Sequence, residues 1–250
     1  MTKSKKLENR VAIVTGASRG LGYAVARAYA DHGARVVIVS RNFGELESVT
    51  GKWSEGCEVL PVQTDVTKED EVSQLVEKTM NQFGKIDILV NNAGVLTPKG
   101  PIHEVTVQDW NLTMDVNLKG SFLCTKYVLP IMRQRKSGVI IYVSSGAGKR
   151  PAPEWGPYAV SKFGVEGLNQ VVAAEAKSHG IRVNAVNPGG VRTTMRSMAY
   201  PEENPMLLCT PEEVAPLFVY LASSDAKDVT GQSIDFKDWI QSFPDWKYGR

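Results

Sequence analysis

The chain lacks the marks of several protein classes. It has three cysteines in 250 residues, Cys57, Cys124 and Cys209, an odd number with no metal-like pairing. That argues against a disulfide scaffold and fits a reducing compartment, with the thiols serving as small buried hydrophobes. There is little charge of either sign in excess: 29 Lys and Arg against 27 Asp and Glu, a formal net charge of +2. So slight a balance gives no reason to expect nucleic acid or a membrane surface as partner. No apolar run approaches the length of a bilayer span, and none of signal-peptide length follows the basic opening MTKSKKLENR. A cytoplasmic protein is the expectation. Repeats, low-complexity tracts and Pro/Gly/Ser-rich linkers are missing too, so residues 1–250 are expected to form one domain.

What is present is alternation. RVAIVTG, ARVVIVS, IDILVNN, GVIIYVSS and IRVNAVNP are short β-branched runs bounded by glycine or polar residues, the pattern of buried parallel strands. Between them run helical stripes, one through Leu21, Val25, Ala28 and Tyr29, another through Val72, Leu75, Val76, Thr79, Met80 and Phe83. Thr67, three residues before Asp70, predicts one helix cap. TPEE predicts another, with Thr210 as cap, Pro211 as first helical residue and Glu213 closing a capping box. Strands alternating with helices imply an α/β, doubly wound parallel sheet of the Rossmann type, covered on both faces.

The first strand ends in TGASRGLG, residues 15–22. Gly16, Gly20 and Gly22 stand where a strand must turn sharply into a helix, and their bare backbone suits close approach to a pyrophosphate at the helix N-terminus. The spacing is G-x-x-x-G-x-G, neither the usual dinucleotide fingerprint nor a P-loop. Cofactor contacts are expected from Gly16, Ser18, Arg19, Gly20, Leu21 and Gly22. About twenty residues on, the second strand ends in VSRN, without the acid that holds the ribose hydroxyl of NAD(H). Arg41 there, with Arg19 in the glycine loop, supplies two cations suited to a 2′-phosphate, so NADP(H) is the expected cofactor.

In GPYAVSKFG, Tyr158 and Lys162 lie one helical turn apart on one face. A phenol titrates near 10 in water, and an adjacent ammonium favours its ionised form. Such a pair can act as a general acid/base.

TGASRGLG, NNAG (91–94), VSSGAG (143–148), YAVSK (158–162) and NPGG (187–190) occur in the order and spacing of the short-chain dehydrogenases/reductases, which the chain resembles from residue 8 to about 235. That resemblance implies Tyr158 as general acid/base and Lys162 as its partner, also bonding the nicotinamide ribose. It implies Ser145 as the group that orients the substrate carbonyl, and Asn117 as holder of a water linking the lysine to solvent. Asp65 and Val66 would flank the adenine, Asn92 would line the cleft, and Val191 and Thr193 would meet the carboxamide. The activity implied is hydride transfer between a ketone and a secondary alcohol, most like a 3-oxoacyl-carrier-protein reductase. The alternatives are an NAD-dependent sugar or polyol dehydrogenase and a dinucleotide sensor without catalysis. A homotetramer is expected, or a dimer, built on helices within 107–135 and 156–179. The basic stretch MRQRKSG (132–138) offers a surface to an acidic carrier.

Two segments depart from the family pattern. The tail TGQSIDFKDWIQSFPDWKYGR has Phe236-Lys237-Asp238-Trp239 where many members have Asp-Gly-Gly, and its aromatic side chains are expected near the substrate cleft or a neighbouring subunit. Residues of about 190–210 are expected to cover the substrate, with Met195, Met198, Met206, Leu207 and Leu208 as an adaptable apolar lid. Trp155 is expected to be a fixed wall of the pocket.

Overall fold

The five expected strands form, and two more join them. The computed structural model describes residues 5–51, 53 and 56–244. Its strands are β1 (Val11–Thr15), β2 (Arg35–Ser40), β3 (Val59–Gln63), β4 (Ile88–Asn91), β5 (Gly138–Val143), β6 (Ile181–Asn187) and β7 (Ser233–Asp235). All pair in parallel in the order β3-β2-β1-β4-β5-β6-β7. Strand order reverses between β1 and β4, and at such a switch point the strand ends part into a crevice.

Helices α1 (Gly20–Asp31), α2 (Phe43–Thr50), α3 (Glu69–Phe83), α4 (Val107–Met114), α5 (Gly120–Arg135), α6 (Gly156–Ala176), α7 (Thr194–Ala199), α8 (Pro211–Ala222) and α9 (Phe236–Ser242) complete the chain. Successive strand residues serve opposite faces. Ala12, Val14, Val36, Ile38, Val139 and Ile141 pack under α1 and α8, while Ile13, Val37, Leu89, Ile140 and Val183 pack under α3, α5 and α6. Two apolar cores thus sandwich one sheet. None of the described helices is long and apolar enough to cross a membrane.

The TPEE cap forms as expected: the Glu213 amide donates to Thr210 Oγ1 at 3.2 Å, and the Thr210 amide donates to Glu213 Oε2 at 2.8 Å. Thr67 does not cap α3. Its amide and hydroxyl instead donate to Asp65 Oδ1 at 3.0 and 2.8 Å, and Lys68 takes the cap position without a side-chain bond. A nearby carboxylate outcompeted the helix end for Thr67.

One further expectation is corrected, and of the two places expected for the tail aromatics the cleft is ruled out. Only Cys124 is a buried thiol, its pKa pushed up by burial to about 12; Cys57 is half-buried and Cys209 exposed. The described aromatic residues of the tail turn away from the cleft: Phe236 and Trp239 join the core under α8, with Trp239 and Phe243 each against Tyr220, at 5.6 and 5.2 Å between ring centroids. Burial beside α8 offers these rings more apolar contact than an open cleft would. Residues 245–250 of the tail lie outside the described residues.

Candidate active site

A cleft of about 1100 Å³ opens along the carboxyl ends of the strands. Buried beneath it, Thr15, the last residue of β1, bonds the neighbouring strand end. Its hydroxyl donates to the Val90 carbonyl at 3.2 Å and accepts from the amides of Asn92 and Ala93 at 2.9 and 3.0 Å. Asn92 replies through Nδ2, donating to the carbonyls of Thr15 and Gly16 at 2.8 and 3.1 Å. The glycine loop is packed hard against this clamp. Gly16 has φ +64°, and a Cβ there would stand 2.9 Å from Ala93 Cα; a Cβ on Gly22 would stand 2.3 Å from the Gly16 carbonyl oxygen. Both positions need glycine for close backbone approach.

Ser18, Arg19, Gly20 and Leu21 line the cleft beside those two glycines, and Arg41, Asp65 and Val66 line its far end. Arg19 is largely exposed, with Nη1 3.9 Å from Glu45 Oε1. Burial pushes the Asp65 pKa up, but the two bonds from Thr67 and the charges of Arg41 and Lys68 hold it below the usual carboxylate value. Val191 and Thr193 line the opposite end, where the Thr193 hydroxyl caps α7 by accepting from the Arg196 amide at 3.2 Å.

The cleft fits an extended polar cofactor on a further observation. The hydroxyls of Thr64 and Ser144 line it, buried and without a hydrogen-bond partner among the described residues. A buried hydroxyl left unpaired is costly. Thr64 follows β3 and Ser144 follows β5, four strand spacings apart, or roughly 19 Å. A dinucleotide lying across the strand ends would pass both. Neither was singled out from the sequence, although each directly precedes a residue that was, at the same strand end.

Ser145 lies just beyond Ser144, past the end of β5. Its hydroxyl accepts from the Ala147 amide at 3.2 Å and stands near enough to the Tyr158 phenol to favour its ionised form. Tyr158 and Lys162 share one face of α6. Lys162 is buried: Nζ lies 5.5 Å from the Tyr158 ring centroid and donates to the Val143 carbonyl at 2.8 Å. Gly148 makes room for this, since a Cβ there would come within 2.8 Å of the Lys162 backbone.

The electrostatics differ from the expectation that the lysine sets the phenol's pKa. Burial lowers Lys162 to about 8, partly offset by Glu166. Burial raises Tyr158, and the Ser145 hydroxyl and the Arg196 charge draw it part of the way back. In the protein alone the lysine therefore loses its proton before the phenol does. Low polarity acts on both groups at once, and a sequence spacing does not register it.

Of the residues expected to be catalytic or to meet the cofactor, Asn117 alone does not line the cleft. It lies buried in a π-helical turn, Asp115–Lys119, between α4 and α5. Its Oδ1 accepts from the Val95 amide at 2.8 Å; its Nδ2 donates to the Val95 carbonyl at 3.1 Å and to Ser161 Oγ at 3.0 Å. Asn117 thereby pins the loop after β4 to the helix that carries Tyr158 and Lys162.

The end of the cleft beside Tyr158 is aromatic. Trp155 meets the edge of Tyr158 and lies against Tyr200, each at 5.6 Å between centroids. Lys99 donates to the Ala199 carbonyl at 2.7 Å and sits 4.7 Å from the Tyr200 ring centroid. Met195 and Met198 line the cleft, whereas Met206 and Leu207 are 72% and 83% exposed and do not. Of the expected lid segment, it is the α7 half whose methionines line the cleft.

The family model described as short chain dehydrogenase matches residues 10–204. The oxidoreductase YciK of Escherichia coli strain K12, itself named as uncharacterized, is 35% identical over 237 residues, covering 93% of this chain and 94% of its own. A 3-oxoacyl-[acyl-carrier-protein] reductase of Synechocystis is 39% identical over 239 residues, covering 92% and 96%. Among solved structures, a short chain dehydrogenase of Shigella flexneri complexed with NADP superposes with a TM-score of 0.90 at 34% identity, covering 94% of this chain and all of its own. The chain belongs to the short-chain dehydrogenase/reductase family, and is an NAD(P)-dependent oxidoreductase.

Proposed function

We propose that the protein interconverts a ketone and a secondary alcohol with NADP(H), most like a 3-oxoacyl-thioester or carbonyl reductase. The observation that carries this is the Tyr158 phenol, beside Ser145 and one turn from a buried lysine, in a cleft long enough for a dinucleotide.

Bound NADPH supplies the hydride. The chain's own residues do the rest. Ser145 donates a hydrogen bond to the carbonyl oxygen, where negative charge develops. Tyr158 gives that oxygen its phenolic proton, and takes one back in the alcohol-oxidising direction. Its raised pKa keeps the phenol protonated at neutral pH, which suits reduction. Lys162 and Asn117 hold this helix face and the loop over it in register, and Lys162, with Nζ 5.5 Å from the Tyr158 ring centroid, can return a proton to the phenol.

Gly16, Ser18, Gly20, Leu21 and Gly22 cradle the pyrophosphate, with Asp65, Val66 and Asn92 toward the adenine and Val191 and Thr193 toward the nicotinamide. Arg19 and Arg41 meet the 2′-phosphate, and the similar Shigella structure holds NADP in the same fold. Residues 190–210 cover the substrate through α7. We assign the protein to the cytoplasm as a homotetramer, or a dimer. Supporting assembly, α4, α5 and α6 expose Val107, Leu112, Phe122, Val160, Phe163 and Val171, more apolar surface than helix faces open to water usually carry.

The test is NADPH oxidation by the wild type on 3-oxoacyl thioesters, diketones, keto acids, quinones and sugar ketones. Turnover of at least one ketone is expected. Turnover of none, or of sugars with NAD⁺ alone, would contradict the reading.

A further inference from the structure

The cleft changes electrostatic character along its length. The half beside Arg19 and Arg41 includes the carboxylates of Glu45 and Asp65. From Val143 to Tyr200 the lining carries Arg150, Lys162 and Arg196 and no carboxylate. Two of these three cations have protein partners. Lys162 is bonded to the Val143 carbonyl. Arg196 is held in a fork by Glu203, at 2.6 and 2.7 Å, with its guanidinium 3.9 Å from the Tyr200 ring centroid.

Arg150 is different. Among the described residues it has no ion pair of its own. The carboxylate that feels its charge, Asp235, is already bonded by Lys149 at 2.8 Å and by Asn187. Arg150 is also tied close to the reacting atoms, because its amide donates to the Gly146 carbonyl at 3.2 Å. Gly146 is the neighbour of Ser145. Five residues of tightly turned chain, roughly 7–8 Å at helical rise, therefore separate the Arg150 backbone from Ser145, the group that meets the carbonyl.

We infer that the substrate is a keto acid, a ketone bearing a carboxylate a few bonds from the reacting carbon, and that Arg150 reads the carboxylate. This rests on the carbonyl-reductase reading above. A guanidinium offers paired donors in a plane that match a carboxylate. Trp155, Tyr200, Met195 and Met198 line the same end with apolar surface, which fits a compact hydrocarbon body between the ketone and the acid. The short distance also discriminates between anions: a carboxylate on a small ring or chain reaches Arg150, whereas the phosphate at the far end of a pantetheine arm lies well beyond it.

The test pairs each keto acid with its methyl ester, 4-oxopentanoate and 4-acetylbenzoate being two. The expected wild-type kcat/KM favours the acid by at least about tenfold, the effect of one hydrogen bond to a charged group. Arg150→Met should raise KM for the acid by about the same factor and bring the acid-to-ester ratio toward one, while Arg150→Lys keeps part of the preference. Calorimetric titration with benzoate and benzamide gives a readout without turnover: benzoate should bind the wild type more tightly, and Arg150→Met should lose the difference. Esters reduced as well as acids, or a ratio unchanged in Arg150→Met, would overturn the inference and leave the carbonyl-reductase reading standing. No reduction of any ketone by the wild type would overturn both.

Discussion

Replacing Arg41 by Asp reverses the charge proposed to meet the adenosine 2′-phosphate. Arg41 follows β2 at the cleft's far end, and none of the ion pairs among the described residues involves it; its charge is felt by Asp65. Arg19, the second cation, is drawn toward Glu45 at 3.9 Å, so Arg41 should be the larger contributor. A hydrogen bond to a charged group contributes roughly 1.5–3 kcal/mol, or about 10–150-fold in binding. Arg41→Asp removes that bond and adds a carboxylate able to accept from a ribose hydroxyl, so the loss for NADPH comes with a gain for NADH. The ratio of kcat/KM for the two cofactors, on one ketone, should move toward NADH by well over about tenfold. Both arginines face solvent, so the shift should shrink as salt is raised. The substitution should also raise the Asp65 pKa, since Asp65 loses a neighbouring cation and gains a like charge. A wild type that prefers NADH, or an unchanged ratio in the variant, would refute the assignment.

Gly22→Ala should lower stability by about 1–3 kcal/mol, because its Cβ would meet a backbone oxygen that cannot yield; at about 2–4 °C per kcal/mol, an unchanged Tm would contradict the packing described. Lys162 titrates at about 8 in the folded protein against 10.5 ordinarily, so between those values the unfolded chain binds more protons and this group's contribution to stability rises with pH. Urea melts of wild type and Lys162→Met should therefore shift in favour of the wild type by up to ~3 kcal/mol from pH 7 to above 10, and a constant gap would be inconsistent with a buried ammonium. Sedimentation at micromolar concentration should show a tetramer or dimer, and a lone monomer would remove that proposal.

The fold was legible because its signals are local. β-Branched runs, glycine at the β1–α1 turn and the Thr210 capping box each act within a few residues, and all formed. The site residues could be singled out because they cluster in short motifs at strand ends, where the sheet gathers them. Less legible were features set by competition between distant groups. Thr67 turned to Asp65 rather than to its helix. The tail aromatics found Tyr220 rather than the cleft, and the order of titration of Tyr158 and Lys162 followed their common burial. The orphaned hydroxyls of Thr64 and Ser144 look ordinary in sequence, and only packing shows them unpaired. Arg150 could not be told from any exposed arginine until the rest of its end of the cleft proved free of carboxylates.

The central claim is that Tyr158 carries the proton, and Tyr158→Phe tests it most directly. The ring and its edge contact with Trp155 stay, while the hydroxyl beside Ser145 is lost. NADPH binding, followed by fluorescence titration, should persist, and turnover on the best ketone should fall by about 10²–10⁴-fold or more. A variant that binds NADPH normally and keeps more than about a tenth of wild-type turnover would contradict the account.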